Sequence, residues 1–546
     1  MISAKWLVLW SLWAARLARQ PTAPLRVSGG RVRGSVAHDG SHAAYLGIPY
    51  ATLTHGNRFQ APGPEPKWEG IFDGVEENAR CLQRLDIRGN IFIGQQDCLT
   101  LNVYTPLNAS PDAHLPVMVF IHGGAFVEGS GSPGLYGPKY ITSKGVILIT
   151  INYRLNAQGF LCLRVKEAPG NAGIKDQVAA LRWIQKNIRV FGGDPGRVTL
   201  FGESAGASSV SHHLLSHMSK GLFHRAIMQS GSALAPWGHQ VGPVKVAASL
   251  AKVKGHTIED PHELYKLFTS MSELEILTPR IPRELGGTIM SEMLVSPCVE
   301  KVIDGVEPFL TEDPYTLLAK GEFTKMPIMI GTNDEEGYFL ASYENTTTLS
   351  KMNFERAMPV NLEFPTERER SKEACRIKEM YMGNDTISKE SLVKLSKFHG
   401  EPFFVYPAVA ETELVLKNSD QPVYNYVFKY DGRKNIAKWY AGFSGLPGAA
   451  HGDELFYLFE QHNVPNMFEW RMMDTITTLW TNFAKYGDPT PETTELLPVK
   501  WYPTNRTSPQ AFVIDRDFST TPLWSDSLKY WHEIYTKYRK KHRNDG

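Results

Sequence analysis

The chain has 546 residues, 42% hydrophobic and 21% charged, with 58 Lys+Arg against 57 Asp+Glu. This composition supports a large packed core and excludes global disorder. A formal net charge of +1 excludes a general electrostatic attraction for nucleic acid or anionic membranes.

In chain order, the N-terminus reads as a secretory signal. Lys5 precedes an apolar run over 6–15, broken only by Ser11 and too short to span a bilayer. Residues 1–20 are assigned to this segment and 21–546 to one domain, with no membrane span after the signal and an extracellular destination. Four sequons fit that route. Asn345, Asn384 and Asn505 are glycosylation candidates, whereas Pro111 counts against Asn108.

Of the five cysteines, Cys81 and Cys98 close a short, turn-rich loop and are the best-placed disulfide. Cys162, in an apolar stretch, is expected to be a buried free thiol. An odd count leaves at least one cysteine unpaired.

Short β-prone runs over 27–50 suggest an antiparallel edge. Strands are expected at 99–104, 117–121 and 146–151, a helix at 174–188, and further strands at 225–229, 326–331, 423–429 and 510–514. The run at 117–121 is continuously apolar, as a strand covered on both faces requires. Helical stretches fill 240–320 and 345–420, and the charge run 367–373 reads as a solvated face. Amphipathic helices are expected at 467–485 and 523–538. Strand–helix alternation predicts an α/β fold: a large, mostly parallel central sheet with helices on both faces and helical insertions.

The chemistry centres on Val198-Thr199-Leu200-Phe201-Gly202-Glu203-Ser204-Ala205-Gly206. An apolar strand turns on Gly-x-Ser-x-Gly into a small-residue helix, which presents Ser204 on a sharp turn. A serine hydroxyl needs a base, and the base needs an orienting acid. In hydrolases built on this turn the chain order is Ser, acid, His. The strand near 330 is followed by three acids, Asp334, Glu335 and Glu336. The strand near 425 is followed, after a glycine-rich loop, by His451 just before a helix. The strand at 117–121 runs into His122-Gly123-Gly124-Ala125-Phe126, where glycines can turn backbone N–H groups toward a developing oxyanion.

Together with Asp97-Cys98-Leu99-Thr100-Leu101-Asn102, Asn152-Tyr153-Arg154-Leu155 and Phe191-Gly192-Gly193-Asp194-Pro195, these motifs resemble the type-B carboxylesterases of the carboxylesterase/cholinesterase family, which have the α/β-hydrolase fold. The resemblance covers nearly all of the chain after the signal segment. It implies Ser204 as nucleophile, His451 as general base and then acid, and Glu336 as the acid that orients it. It implies oxyanion N–H groups from Gly124, Ala125 and Ala205, an acyl pocket lined by Trp237, supporting roles for Glu203 and Ser230, and a Cys81–Cys98 disulfide. Neither metal nor cofactor is implied.

Departures narrow the class. Gln96 replaces an acid that usually pairs with an upstream arginine, and no cysteine pair lies between 237 and 273 to make the family's second disulfide. The loop 82–96 has no tryptophan to hold a quaternary ammonium, which argues against choline esters. Glu203 stands where many juvenile-hormone esterases carry glutamine. The pattern is most similar to secreted insect carboxylesterases, including antennal enzymes that degrade odorants or pheromones. The implied activity is hydrolysis of small hydrophobic, uncharged esters of odorant, pheromone or xenobiotic type. A neuroligin-like binding protein, a secreted lipase and a juvenile-hormone esterase are the alternatives.

Overall fold

The computed structural model describes residues 20–540 except 54–57, 78, 86–90, 108, 278–280, 293–294 and 462–468. Asn108 and all but the last residue of the signal segment lie outside the described residues.

The central sheet has eleven strands: β1 (Ser35–Val36), β2 (His42–Pro49), β3 (Thr100–Pro106), β4 (Leu115–Ile121), β5 (Ile147–Ile151), β6 (Gly193–Glu203), β7 (Arg225–Gln229), β8 (Ile328–Asn333), β9 (Val423–Phe428), β10 (Gln510–Ile514) and β11 (Ser519–Pro522). Their spatial order is β11-β10-β9-β8-β7-β6-β4-β5-β3-β2-β1. β4 to β10 run parallel, and antiparallel strands close both edges. The expected edge at 27–50 divides in two. β1 and β2 join this sheet, while Leu25–Val27 and Gly30–Arg33 form a separate three-stranded sheet with Ile71–Asp73.

β4 shows why the middle strands are apolar throughout. Val117, Val119 and Ile121 enter the core cluster on one face, with helix α1 (Ala172–Asn187) and helix α2 (Ala205–Leu215). Met118 and Phe120 enter the cluster on the other face, with Trp480 and Phe483 of helix α5 (Trp470–Tyr486). Both faces are covered, so alternation disappears. Helix α3 (Gly337–Ala341), helix α4 (Leu392–Gly400) and the terminal helix α6 (Asp526–Tyr538) complete the elements used below.

Two expectations are corrected. Cys162 is not a free thiol: it is bonded to Cys298, alongside the Cys81–Cys98 bond. The partner lies 136 residues away in sequence, so local apolarity at Cys162 carried no trace of it. The clamp is Asn171, whose Nδ2 donates to Cys298 O at 2.9 Å while its Oδ1 accepts from Cys298 N at 2.9 Å. A second disulfide therefore exists, outside the 237–273 region. Cys375 is exposed and unpaired. The charged helix Glu367–Met382 is not solvated throughout, because Glu373 is buried and accepts a hydrogen bond from Tyr530 of α6.

Candidate active site

The parallel strands deliver the chemically capable residues at their carboxyl ends, where α/β sheets place ligands. β4 leads into His122-Gly123-Gly124-Ala125, β6 into Ser204, β7 into Ser230, and β8 into the turn that carries Asp334, Glu335 and Glu336. The loop after β9 returns to pair with that turn. Glu335 N donates to Ala449 O at 3.0 Å, and Asp334 accepts from Ala449 N at 2.8 Å. This pairing sets His451 beside Glu336.

Ser204 sits at φ 56°, ψ −121°, a left-handed backbone that a non-glycine residue adopts only at some cost. Glycines permit the turn. A Cβ on Gly206 would lie 2.0 Å from Ile121 O, and one on Gly202 would lie 2.5 Å from the Gly206 backbone. The Ser204 N–H is anchored to Gln229 O at 2.8 Å. The Ser204 hydroxyl makes no hydrogen bond among the described residues.

Of the three acids, Glu336 alone touches the imidazole. Its Oε2 lies 2.6 Å from His451 Nδ1, while its Oε1 accepts from Ser230 Oγ at 2.5 Å and from Asn333 N at 2.7 Å. Asp334 is occupied with Ala449, and burial pushes its carboxyl up to about 7. Glu335 pairs with Lys397 at 2.5 Å. The Glu336 turn is held by close backbone packing on α4, where a Cβ at Gly337 would fall 1.7 Å from Ser396 O. Gly337→Ala is expected to destabilise the chain by about 1–3 kcal/mol, read as a lower urea midpoint; an unchanged midpoint would show that α4 yields.

His451 Nε2 does not meet Ser204 in this structure. It lies 3.2 Å from Glu203 Oε1. Burial alone would lower the imidazole pKa, but the carboxylates of Glu203, Glu336 and Glu454 outweigh it and hold it above its ordinary value. Burial raises Glu203 in turn. The pair therefore retains its proton to a higher pH than free imidazole and titrates as a unit.

On the opposite lip, Gly124 has φ 108° and Ala125 φ 53°. Ala125 accepts a left-handed geometry that glycine would take freely. The N–H groups of Gly124, Ala125 and Ala205 have no acceptor among the described residues. A cavity of about 380 Å³ joins Ala125, Glu203, Ser204, Trp237, Phe404 and His451. The Trp237 indole donates to Phe403 O at 2.8 Å and packs on Phe404, whose ring lies 4.4 Å from that of His451.

Residue-by-residue reading missed three features. Glu454 accepts from Gln229 Nε2 at 3.0 Å and from Asn333 Nδ2 at 2.7 Å, so it ties the ends of β7 and β8 to the histidine loop. Neither it nor Gln229 carries a role in the sequence reading. Phe404 lies on a π-helical turn, Glu401–Val405, that no local pattern announced. The third is Arg58, whose Nη1 donates to Met271 O while its buried Nε and Nη2 have no hydrogen-bond partner among the described residues.

A model of the carboxylesterase family matches residues 21–531. The chain is 34% identical to juvenile hormone esterase of Tribolium castaneum over 85% of this chain and 83% of that protein. It is 34% identical to esterase FE4 of Myzus persicae over 90% and 89%, and 35% identical to pyrethroid hydrolase Ces2e of Rattus norvegicus over 85% and 82%. The crystal structure of juvenile hormone esterase from Manduca sexta with OTFP covalently attached superposes with a TM-score of 0.81 at 29% identity, covering 94% of this chain and 99% of that one.

Proposed function

The chain belongs to the carboxylesterase family and is a carboxylic ester hydrolase with the α/β-hydrolase fold, and from this premise we propose that it works through an acyl-enzyme on Ser204. Ser204 Oγ attacks the ester carbonyl as His451 takes its proton. The tetrahedral oxyanion is met by the N–H groups of Gly124, Ala125 and Ala205. The C–O bond to the alcohol breaks, and the alcohol leaves with the proton from His451. Water, deprotonated by His451, then attacks the acyl carbon and frees the carboxylate and Ser204. Glu336 fixes the imidazole and balances its charge. Trp237 lines the acyl pocket, Ser230 holds Glu336, and Glu203 parks the imidazole between turnovers.

The observation that carries this reading is the shared cavity. It joins Ser204 on its left-handed turn to a histidine whose Nδ1 is already held by Glu336. The Ser204–His451 contact then forms when substrate displaces the imidazole from Glu203, as catalytic hydrogen bonds often tighten only in the complex. The covalently attached OTFP in the Manduca sexta enzyme supports a covalent mechanism. An organophosphate should leave one phosphoryl adduct, on the peptide containing Ser204, with esterase activity lost in step. Full activity after labelling would overturn the scheme.

The proposed substrates are small hydrophobic, uncharged esters, consistent with the apolar cavity wall of Trp237, Phe339 and Phe404. Juvenile-hormone esters are the second reading, favoured by the Tribolium castaneum relative. We prefer the general esterase, because an aphid esterase and a mammalian pyrethroid hydrolase are equally similar and because Glu203 occupies the elbow. Secretion through residues 1–20 is proposed on the sequence signal. Asn345, Asn384 and Asn505 are all exposed, as glycan acceptors must be. Among the described residues no helix is long and apolar enough to cross a membrane.

A further inference from the structure

One stretch of the cavity rim carries exposed aromatic side chains that no step of the proposed reaction uses. It is built from three segments, each of which supplies lining residues: Tyr136, then Ala437 on the short helix Ile436–Tyr440, then Leu455 and Phe456. Backbone pairing joins the first segment to the third, since Gly137 N donates to Glu460 O at 2.9 Å and Glu460 N to Gly137 O at 3.2 Å. The second is tied to the histidine loop, where Lys438 N donates to Asp453 Oδ1 at 3.2 Å. Close to these lining residues in the chain, Leu135 is 52% exposed, Trp439 59% and Tyr440 78%. The two aromatic rings pack on each other edge to face, 4.9 Å apart.

Over 131–138, 435–448 and 455–459 the single charged residue is Lys438, and it is turned inward. Its Nζ donates to Gly448 O at 2.7 Å and to Leu446 O at 2.9 Å, and it pairs with Asp431. Phe443, just past the helix, stacks on Tyr338 with ring centres 4.5 Å apart. The anchors of this segment are thus buried, and they hold Trp439 and Tyr440 in water on a fixed platform rather than on a loose loop.

We propose that this rim seats the enzyme on a neutral lipid–water interface, with Trp439 and Tyr440 in the surface layer, so that sparingly soluble esters enter the cavity from the lipid. Trp and Tyr favour such a boundary, because each joins an apolar ring to a polar tip. With their one lysine buried, the rim segments have nothing to draw anionic headgroups, so the surface they fit is neutral or zwitterionic. Leu135, Trp439 and Tyr440 expose on the order of 400 Å² between them, about half of what each partner in a stable protein complex buries. A fluid surface conforms to such a small patch and needs no matching relief. Adsorption is independent of the chemistry at Ser204, which supplies only the location of the cavity.

The test is flotation with phosphatidylcholine vesicles. Wild-type protein should float with them equally at low and high salt, with or without added phosphatidylserine. The double variant Trp439→Ser, Tyr440→Ser should float at least about fivefold less. It should lose turnover of emulsified tributyrin by a similar factor and keep kcat/KM on dissolved p-nitrophenyl butyrate within about twofold. Wild-type protein that stays in the soluble fraction overturns the proposal without any variant, and a double variant that floats as well as wild type overturns it too. Flotation that needs phosphatidylserine and fails at high salt would place binding on charges elsewhere and sink it as well. So would a wild-type dimer, seen by sedimentation velocity and lost in the variant, because the rim would then be a contact between copies. Failure of the acyl-enzyme reading has another signature: it would appear in hydrolysis by Ser204→Ala, which should float like wild type in either case.

Discussion

Ser204→Ala should lower p-nitrophenyl butyrate turnover by roughly 10⁵–10⁶-fold while leaving the fold intact. The size follows from how a nucleophile, a base and an acid act as one unit, so that loss of the nucleophile alone costs nearly as much as loss of all three. Residual turnover would come from the N–H groups of Gly124, Ala125 and Ala205, which do not depend on the serine side chain. The fold should survive because the Ser204 hydroxyl makes no hydrogen bond among the described residues and, though it precedes α2, caps none of that helix's N–H groups. Left-handed strain remains, since it belongs to the backbone at φ 56°. Unfolding midpoints of variant and wild type should agree closely. Activity within about tenfold of wild type would sink the acyl-enzyme scheme, because no other hydroxyl stands on the turn.

Glu336→Gln should cost about 10⁴-fold in kcat, through the proton on the imidazole. The carboxylate accepts from three donors at once, through its contacts with His451 Nδ1, Ser230 Oγ and Asn333 N. Glutamine keeps the shape but brings an NH₂ group, which cannot accept. Where that group faces His451, the ring must turn Nδ1 into the acceptor and put its proton on Nε2, the atom needed as base. A second consequence appears in the pH profile. The carboxylates around His451, Glu336 among them, hold its pKa above the ordinary imidazole value against the effect of burial. Neutral imidazole is the base, so kcat/KM rises as pH climbs through that pKa. Removing one negative charge lowers the pKa, so the acid limb of the residual activity should move to lower pH. A limb that stays or moves upward would assign the orienting role elsewhere. Glu335→Gln, which breaks only the pair with Lys397, should stay within a fewfold of wild type.

The contrast between these acids shows what the sequence could carry. Gly-x-Ser-x-Gly between strand and helix declared Ser204 by itself, because its steric requirement is local: Gly202 and Gly206 have no room for a Cβ. His451 was one of seventeen histidines, distinguished only by its place after a strand. Among Asp334, Glu335 and Glu336 the residues alone offered no choice; only the family resemblance separated them. In space the choice depends on a strand-like pairing of Glu335 with Ala449, 114 positions on. Glu454 and Asn333 were invisible for the same reason, since the contact between them spans 121 positions. The strands themselves were legible from apolar runs, within a few residues at each end. Their spatial order was not: β5 sits between β3 and β4, a crossover that local pattern does not encode. Phe404 depends on a π-helical turn, a hydrogen-bond shift without a composition of its own.

The Cys162–Cys298 bond has a practical consequence for anyone making this protein. The loop it closes contains β6, the Ser204 turn and Trp237. Four cysteines alone allow three pairings, and Cys375 on the surface adds a competitor. Cys81 and Cys98 are 17 positions apart, whereas Cys162 and Cys298 are 136 apart and are brought together where Asn171 holds the Cys298 backbone. A bacterial cytosol, which keeps thiols reduced, is thus the wrong host. An oxidising compartment with a disulfide isomerase should raise the yield of active enzyme, and replacing Cys375 with serine should remove the cheapest wrong partner.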